Sequence, residues 1–190
     1  MRLWTFQPID MYDKIMETGE YHCEPYLGYD TTMEYLEFEN AYLWLIEQMR
    51  NKVGNPPDGI KFPVWAWHTQ NWKHKKPDLR CEKFAYGKKG ENWTCIEIEV
   101  PSDQVLLSDF DLWHCILNDW NVDLTEEEYN NSPKTEEYKI QSWQRIFDLT
   151  PIDTDWITRG KYIQATFWKL TKDMVKNVRH FISAKPKFED

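Results

Sequence analysis

Asp109, Asp111 and His114 stand within roughly one helical turn of each other. Two carboxylates and an imidazole at that spacing can position a base or a hydrated divalent ion, the donor set of a metal-dependent hydrolase or nuclease. The same residues fall at a helix start, where Ser108 or Asp109 can accept from exposed backbone amides, so capping accounts for them as well. A second group is cationic: seven Lys/Arg against two acids lie between Lys73 and Lys89. Arg80, in Lys-Lys-Pro-Asp-Leu-Arg, can hold paired phosphate oxygens bidentately; a solvated lysine-rich loop is the plainer reading. A third group is aromatic. Trp4, Trp65 and Trp67 either fill a core or stack on a flat ligand in a cleft, and His68 follows them as a buried, interfacial or catalytic imidazole. Gln164, Thr166 and Trp168 project to one face of a strand while Ile163, Ala165 and Phe167 take the other, which sends Gln164 towards a cleft or solvent.

The elements that must carry these residues are legible from periodicity. Leu3 to Gln7 predicts a first strand ending at Pro8, followed at once by a helix capped by Asp10, with Met11, Ile15 and Met16 inward and Gly19 at its end. Tyr21-His22-Cys23 reads as extended, closing at Pro25. Tyr35, Phe38, Tyr42, Leu45, Ile46 and Met49 recur at helical steps from Thr31 or Thr32 to Val53-Gly54. Phe62 to His68 predicts a strand, Lys83 to Tyr86 another short one, and Gly87 to Gly90 a hairpin turn. Thr94 to Asn118 reads as strand, turn, short strand and helix start, the helix burying Trp113, Ile116, Leu117 and Trp120. Asp123 to Glu137 is an acidic surface excursion with some helix, Gln141 to Phe147 a further helix, and Tyr162 to Trp168 a strand. Lys172 to Phe181 is helical in pattern, with Met174, Val175, Val178 and Phe181 inward, and Lys185 to Asp190 is a frayed tail.

Strands and helices mix without strict alternation, and no glycine-rich phosphate loop is present. This excludes a doubly wound nucleotide fold and predicts a single α+β domain over residues 1–190, a bent mixed or antiparallel split sheet flanked by helices. With Trp 11 among 190 residues, the core must be built from large flat side chains, some of them lining a cleft. A net charge of −9 repels duplex DNA at long range and disfavours a general DNA coat protein. Cys23, Cys81, Cys95 and Cys115 lack paired zinc-type spacing and read as reduced, mostly buried thiols. No apolar run is long enough for a membrane span, and the first residues enter a strand pattern directly, which predicts a cytoplasmic protein. No Ser-His-Asp order or metalloprotease motif competes.

Leu3-Trp4-Thr5-Phe6-Gln7, Pro63-Val64-Trp65-Ala66-Trp67, Lys76-Pro77-Asp78-Leu79-Arg80, Leu106 to His114 and Ile163 to Trp168 together resemble an uncharacterised bacterial family of about this length. By order of elements the chain also resembles the ADP-ribosyltransferase fold: a first strand running into a helix that ends in Gly, a central aromatic strand, an Ile-Glu-Ile-Glu-Val-Pro strand, and a late strand followed by Leu-Thr-Lys-Asp-Met-Val. That resemblance implies a split sheet holding NAD in a cleft, with polar, aromatic and acidic residues on the first, middle and late strands. It places Thr5 or Gln7 where His or Arg is usual, and Gln164 where Glu is usual. An amide cannot take a proton from a nucleophile, but it can orient a ribose hydroxyl or an attacking group. The resulting expectation is transfer of ADP-ribose from NAD to a protein or nucleic acid acceptor. Trp4, Thr5 and Gln7 would line the nicotinamide side, Trp67 and His68 the middle, Arg80 the phosphates, and Gln164 the ribose. The alternative is a noncatalytic module that uses the basic loop and exposed tryptophans to bind a nucleotide, single-stranded nucleic acid or protein.

Overall fold

The computed structural model describes the backbone of residues 1–23 and 32–184, and the side chains of all of these except 32–37. The expected closure at Pro25, the inward Tyr35 and the tail from Lys185 lie outside the described residues. Strand β1 (Arg2–Pro8) runs straight into helix α1 (Ile9–Thr18). Pro8 sits at the N-cap without a side-chain hydrogen bond and Asp10 lies in the first turn, so Asp10 complements the helix dipole instead of capping the helix. Gly19, at φ 93°, ends α1 in the left-handed conformation a glycine adopts freely. After β2 (Glu20–Tyr21) comes α2 (Thr32–Lys52), with Leu45, Ile46 and Met49 buried as their spacing requires.

Strand β3 (Val64–Thr69) and the four-residue helix α3 (Leu79–Glu82) lead to β4 (Asn92–Glu99), β5 (Leu106–Asp109) and α4 (Phe110–Leu117). Lys83 to Tyr86 continues in turns from α3, with Phe84 N–H bonded to the Cys81 carbonyl, instead of forming the expected strand. The acidic segment carries α5 (Glu126–Asn131) and α6 (Glu136–Trp143), both capped by threonine hydroxyls, Thr125 and Thr135. Short strands β6 (Ile152–Asp153) and β7 (Thr158–Arg159) precede β8 (Ile163–Phe167), β9 (Leu170–Thr171) and β10 (Val175–Ile182).

Six strands form one antiparallel sheet in the order β10-β4-β1-β3-β8-β5. The fold is α+β, as expected, but the terminal element is a strand and not a helix. The apolar spacing of three from Val175 to Val178 has a physical cause: a bulge between Val175 and Asn177 shifts the register, so both face Ile98 and Ile96 on one side of the sheet, whereas Phe181 pairs with Trp93 on the other face. One extra residue stretches the strand's period of two into an imitation of a helical step.

Opposed residues in an antiparallel sheet share a face, and the two faces bury different partners. On one side Leu3, Ala66, Ile96, Ile98, Ala165 and Phe167 pack with Ile15 of α1. On the other, Trp65 and Leu106 meet α2, α4 and α6 through Leu45, Trp113 and Trp143, while Trp4, Phe6 and Cys95 form a separate aromatic cluster with Trp67 and Tyr86. Burying one such side chain contributes about 1.5–3 kcal/mol. α4 buries Leu112, Trp113 and Ile116 as its pattern demands, whereas Trp120, expected inward, follows Asp119 at φ 57° and is thrown outward, 64% exposed. Among the described residues no helix is long and apolar enough to cross a membrane.

Candidate functional site

The registers put Trp4, Trp67, Gln164 and Ser108 in one row across four strands. Between β1 and β3 that row is the only point in register: the strands meet at Trp4 and Trp67 and then part. Thr5, buried, holds the parted edges together by donating from Oγ1 to the Trp65 carbonyl at 2.8 Å and accepting from Gln7 Nε2 at 3.0 Å. A cavity of about 260 Å³ opens beside the parting, walled by Gln7, Trp65, Trp67, Tyr86, Phe110 and Gln164.

Its walls are fixed by aromatic packing. Trp67 donates from Nε1 to the Tyr86 hydroxyl at 2.6 Å and meets the Phe110 ring edge-on at 4.9 Å; Tyr86 stacks on Phe6 at 4.1 Å. Burial pushes the Tyr86 phenol up from its ordinary value, so it stays protonated. Gln164 is buried, its Nε2 donating to Ser108 Oγ at 3.1 Å. Among the described lining residues no carboxylate or imidazole is present. The chemistry on offer is flat apolar contact, two primary amides, each able to donate and accept, the hydroxyls of Tyr21 and Tyr86, and the Cys23 thiol. The volume lies just under the ~300 Å³ where drug-sized pockets begin, which suits one ring and its first substituents.

Of the seven residues singled out from sequence, the structure brings Gln7, Trp67 and Gln164 to this cavity, with Thr5 bonded to Gln7 and Trp65 behind the wall. The other three do not line it. Trp4 is core, its indole N–H buried with no partner among the described residues. His68 lies past the row, at a bulge between Trp67 and Thr69, its ring 4.1 Å from that of His74 and its Nδ1 2.9 Å from Thr69 Oγ1. Burial first, and then the charge of His74, lower its pKa to about 4, leaving a poor base near neutrality. Arg80 is spent on its neighbour: its Nε and Nη2 both bond the Asp78 carboxylate, at 3.0 to 3.1 Å and 2.6 Å, on an exposed turn, and the Arg80 guanidinium holds the Asp78 carboxyl at about 2.

Asp109, Asp111 and His114 separate in the same way. Asp109 is fully buried, and its two oxygens accept from Leu112 N–H at 2.9 Å and Gly160 N–H at 2.6 Å, the capping role. His114 is exposed and bonds the Phe110 carbonyl through Nδ1. Asp111 lines a different cavity. Among the described residues no three His, Cys, Asp or Glu side chains gather as a metal would require. That other cavity is the larger, about 790 Å³, and is walled by Asp111, Trp120, Asp123, Tyr129, Lys134 and Trp156 among others, with none of the seven. The sequence does not mark it, because Trp120 stands at a core-like helical step and Trp156 falls between the periodic segments. Tyr86 and Phe110 were likewise missed as wall residues; their one sequence signal was an aromatic at the end of a turn and at a helix start.

Residues 2–137 match the family described as Domain of unknown function (DUF3841). The chain belongs to this family. No curated protein and no solved structure matches it. The DUF3841 match spans β1, β3, β4 and β5, so it holds Gln7 and Trp67 of the cavity wall, while Gln164 lies beyond it.

Proposed function

We propose that this chain is an NAD-binding, ADP-ribosyltransferase-like domain that takes the nicotinamide end of the dinucleotide into the cavity at the β1/β3 parting. One observation carries the reading: side chains from the first, middle and late strands, Gln7, Trp67 and Gln164, converge on one ring-walled cavity. The lining fits a nicotinamide, because aromatic walls suit the flat ring and two amides can pair with its carboxamide. NAD would supply the ADP-ribosyl group, with the acceptor a protein or a nucleic acid. On the chain's side, Trp67 and Phe110 exclude water from the ring, Gln7 fixes the carboxamide, and Gln164, oriented by Ser108, points the ribose. The rest of the dinucleotide extends outside this small cavity, with no phosphate contact assigned to Arg80.

A second reading is binding without transfer, and Gln164 itself favours it, since an amide in the glutamate position gives no group to accept the acceptor's proton. Calorimetric titration with NAD and with nicotinamide, run on wild type and on Gln164→Ala and Gln7→Ala, tests both. Saturable binding weakened about tenfold by either substitution, some 1.4 kcal/mol, supports the site. Labelled ADP-ribose retained on protein or nucleic acid from a lysate then separates transfer from binding alone. Heat-free titrations up to millimolar NAD and nicotinamide would remove the reading altogether.

A further inference from the structure

The larger cavity is built from rings that a folding chain ordinarily hides. Trp120, Tyr129 and Trp156 are 64%, 56% and 43% exposed, yet all three line the same 790 Å³ space. They are held in place by their own polar contacts: the Trp156 indole N–H donates to the Asp123 carbonyl, the Trp120 carbonyl accepts from Trp143 Nε1 at 2.8 Å, and the Tyr129 and Trp156 rings meet at 5.4 Å. An aromatic face attracts cations through its quadrupole, and the cavity already shows this internally, with Lys134 Nζ 5.1 Å from the Tyr129 ring centroid and bonded to the Tyr129 carbonyl at 2.9 Å.

Charge points the same way. Seven acids and one lysine lie between Asp119 and Glu137. Of the lining cations, Lys139 is consumed by Asp119 and Glu136 at 2.7 and 2.8 Å. Asp123 is satisfied by Ser132 Oγ at 2.7 Å. Asp111 differs: it is half-buried on the wall, with no hydrogen bond or ion pair to its carboxylate among the described residues, His114 and Lys161 being the nearby cationic influences. A carboxylate beside exposed indole faces in an acidic field matches a planar cation, which stacks on the rings and pairs bidentately with the carboxylate. An anionic ligand would meet the acidic field and find both lysines engaged.

We propose that the cavity walled by Trp120, Tyr129, Trp156 and Asp111 is a binding site for a guanidinium group, carried by a small molecule or by an arginine side chain. The site is separate from the NAD reading and does not depend on it. Calorimetry on the full chain with N-acetyl-arginine amide, its neutral isostere N-acetyl-citrulline amide, and a glycine-flanked arginine peptide tests it. Saturable binding of the arginine amide, at least tenfold tighter than the citrulline amide, is expected. Asp111→Asn and Trp120→Ala should each weaken it about tenfold with melting temperature unchanged, since both side chains are at or near the surface. Lys134→Ala should tighten binding several-fold by removing the chain's own competing cation. Tighter binding of the peptide than of the amide assigns the site to a protein partner, and equal binding to a small molecule. Equal affinity for arginine and citrulline amides, indifference to Asp111→Asn, or weaker binding by Lys134→Ala overturns the proposal. Gln164→Ala serves as the control that leaves arginine binding unchanged, so loss of the NAD reading and loss of this one are read separately.

Discussion

Trp4 lies directly opposite Trp67, and this one pair is the whole register between the first strand and the middle strand. Beyond it the sheet is held across the parting by a side chain instead of a ladder. The Thr5 hydroxyl is thus both a structural clasp and the support for Gln7 on the cavity wall.

Thr5→Val keeps the shape and deletes both hydrogen bonds. The expected loss is about 1–2 kcal/mol, the range for a buried hydrogen bond whose partners are left unsatisfied. Urea denaturation should show a lower midpoint with the slope unchanged, and Thr5→Ser should recover most of the stability.

Asp109 caps α4 and also ties it to Gly160 just before β8. Asp109→Ala leaves two buried N–H donors without partners, for an expected loss of about 2–4 kcal/mol. Asp109→Asn keeps one accepting oxygen and should lose less. Any metal added to the medium should leave the melting temperature of both variants relative to wild type unaltered, because the two carboxylate oxygens are already used by backbone.

His68 gives a pH signature. Its folded-state pKa is depressed from 6.5 to about 4 by burial and by His74, so between those values the unfolded chain binds more protons than the folded one. Stability from this group is therefore present above pH 6.5 and is lost as pH falls towards 4. Because the ring is only partly buried, the effect is about 1–2 kcal/mol after allowing for solvent screening. Melting temperatures of wild type minus His68→Gln, taken from pH 7.5 to 4, should decline across that window; a flat difference would contradict it. Asp109 and Asp111, raised by burial, act with the opposite sign, which is why the difference and not the raw curve is read.

Asn71 and Trp72 adopt φ values of 50° and 65° between Gln70 and Lys73, whose backbones bond each other in both directions. That is the pattern of a two-residue type I′ hairpin, in which the second position favours glycine. A tryptophan there is strained by roughly 1 kcal/mol or more. Trp72→Gly should raise the melting temperature by a few degrees, measurable by thermal denaturation; a fall would mean that the half-exposed indole contributes more by packing than it costs in backbone strain.

Local elements are readable where residues close in sequence set the pattern. α2 shows its stripe, β8 its alternation, and the Gly19 stop its left-handed turn, each from neighbours a few residues apart. Three features are not readable, one because a distant strand sets its register and two because a neighbour's conformation, which residue type does not disclose, decides them. The β10 bulge imitates a helical period because its register is set by β4. Trp120 looks like a helix-stripe residue until the left-handed Asp119 turns it out. Arg80 looks free for phosphate until its own Asp78 folds back on it. The site was half legible for the same reason: Gln7, Trp67 and Gln164 follow from strand order, but Tyr86 and Phe110 reach the wall only through the packing of a turn and a helix start.

The sheet order also fixes when this molecule can fold. β5 is joined to β3 only through β8, and the outer edge of β4 is covered only by β10, so late strands attach β5 and cover the edges of a sheet that β1, β3 and β4 begin. A chain present only through Glu137 can pair β1 with β3 and β4 but must leave β5 unpaired, the cavity without Gln164, and the outer edges of both β3 and β4 bare. The native sheet therefore waits for the segment that carries β8 and β10, and an intermediate lacking it presents open strand edges, the kind of species that chaperones hold and proteases clear.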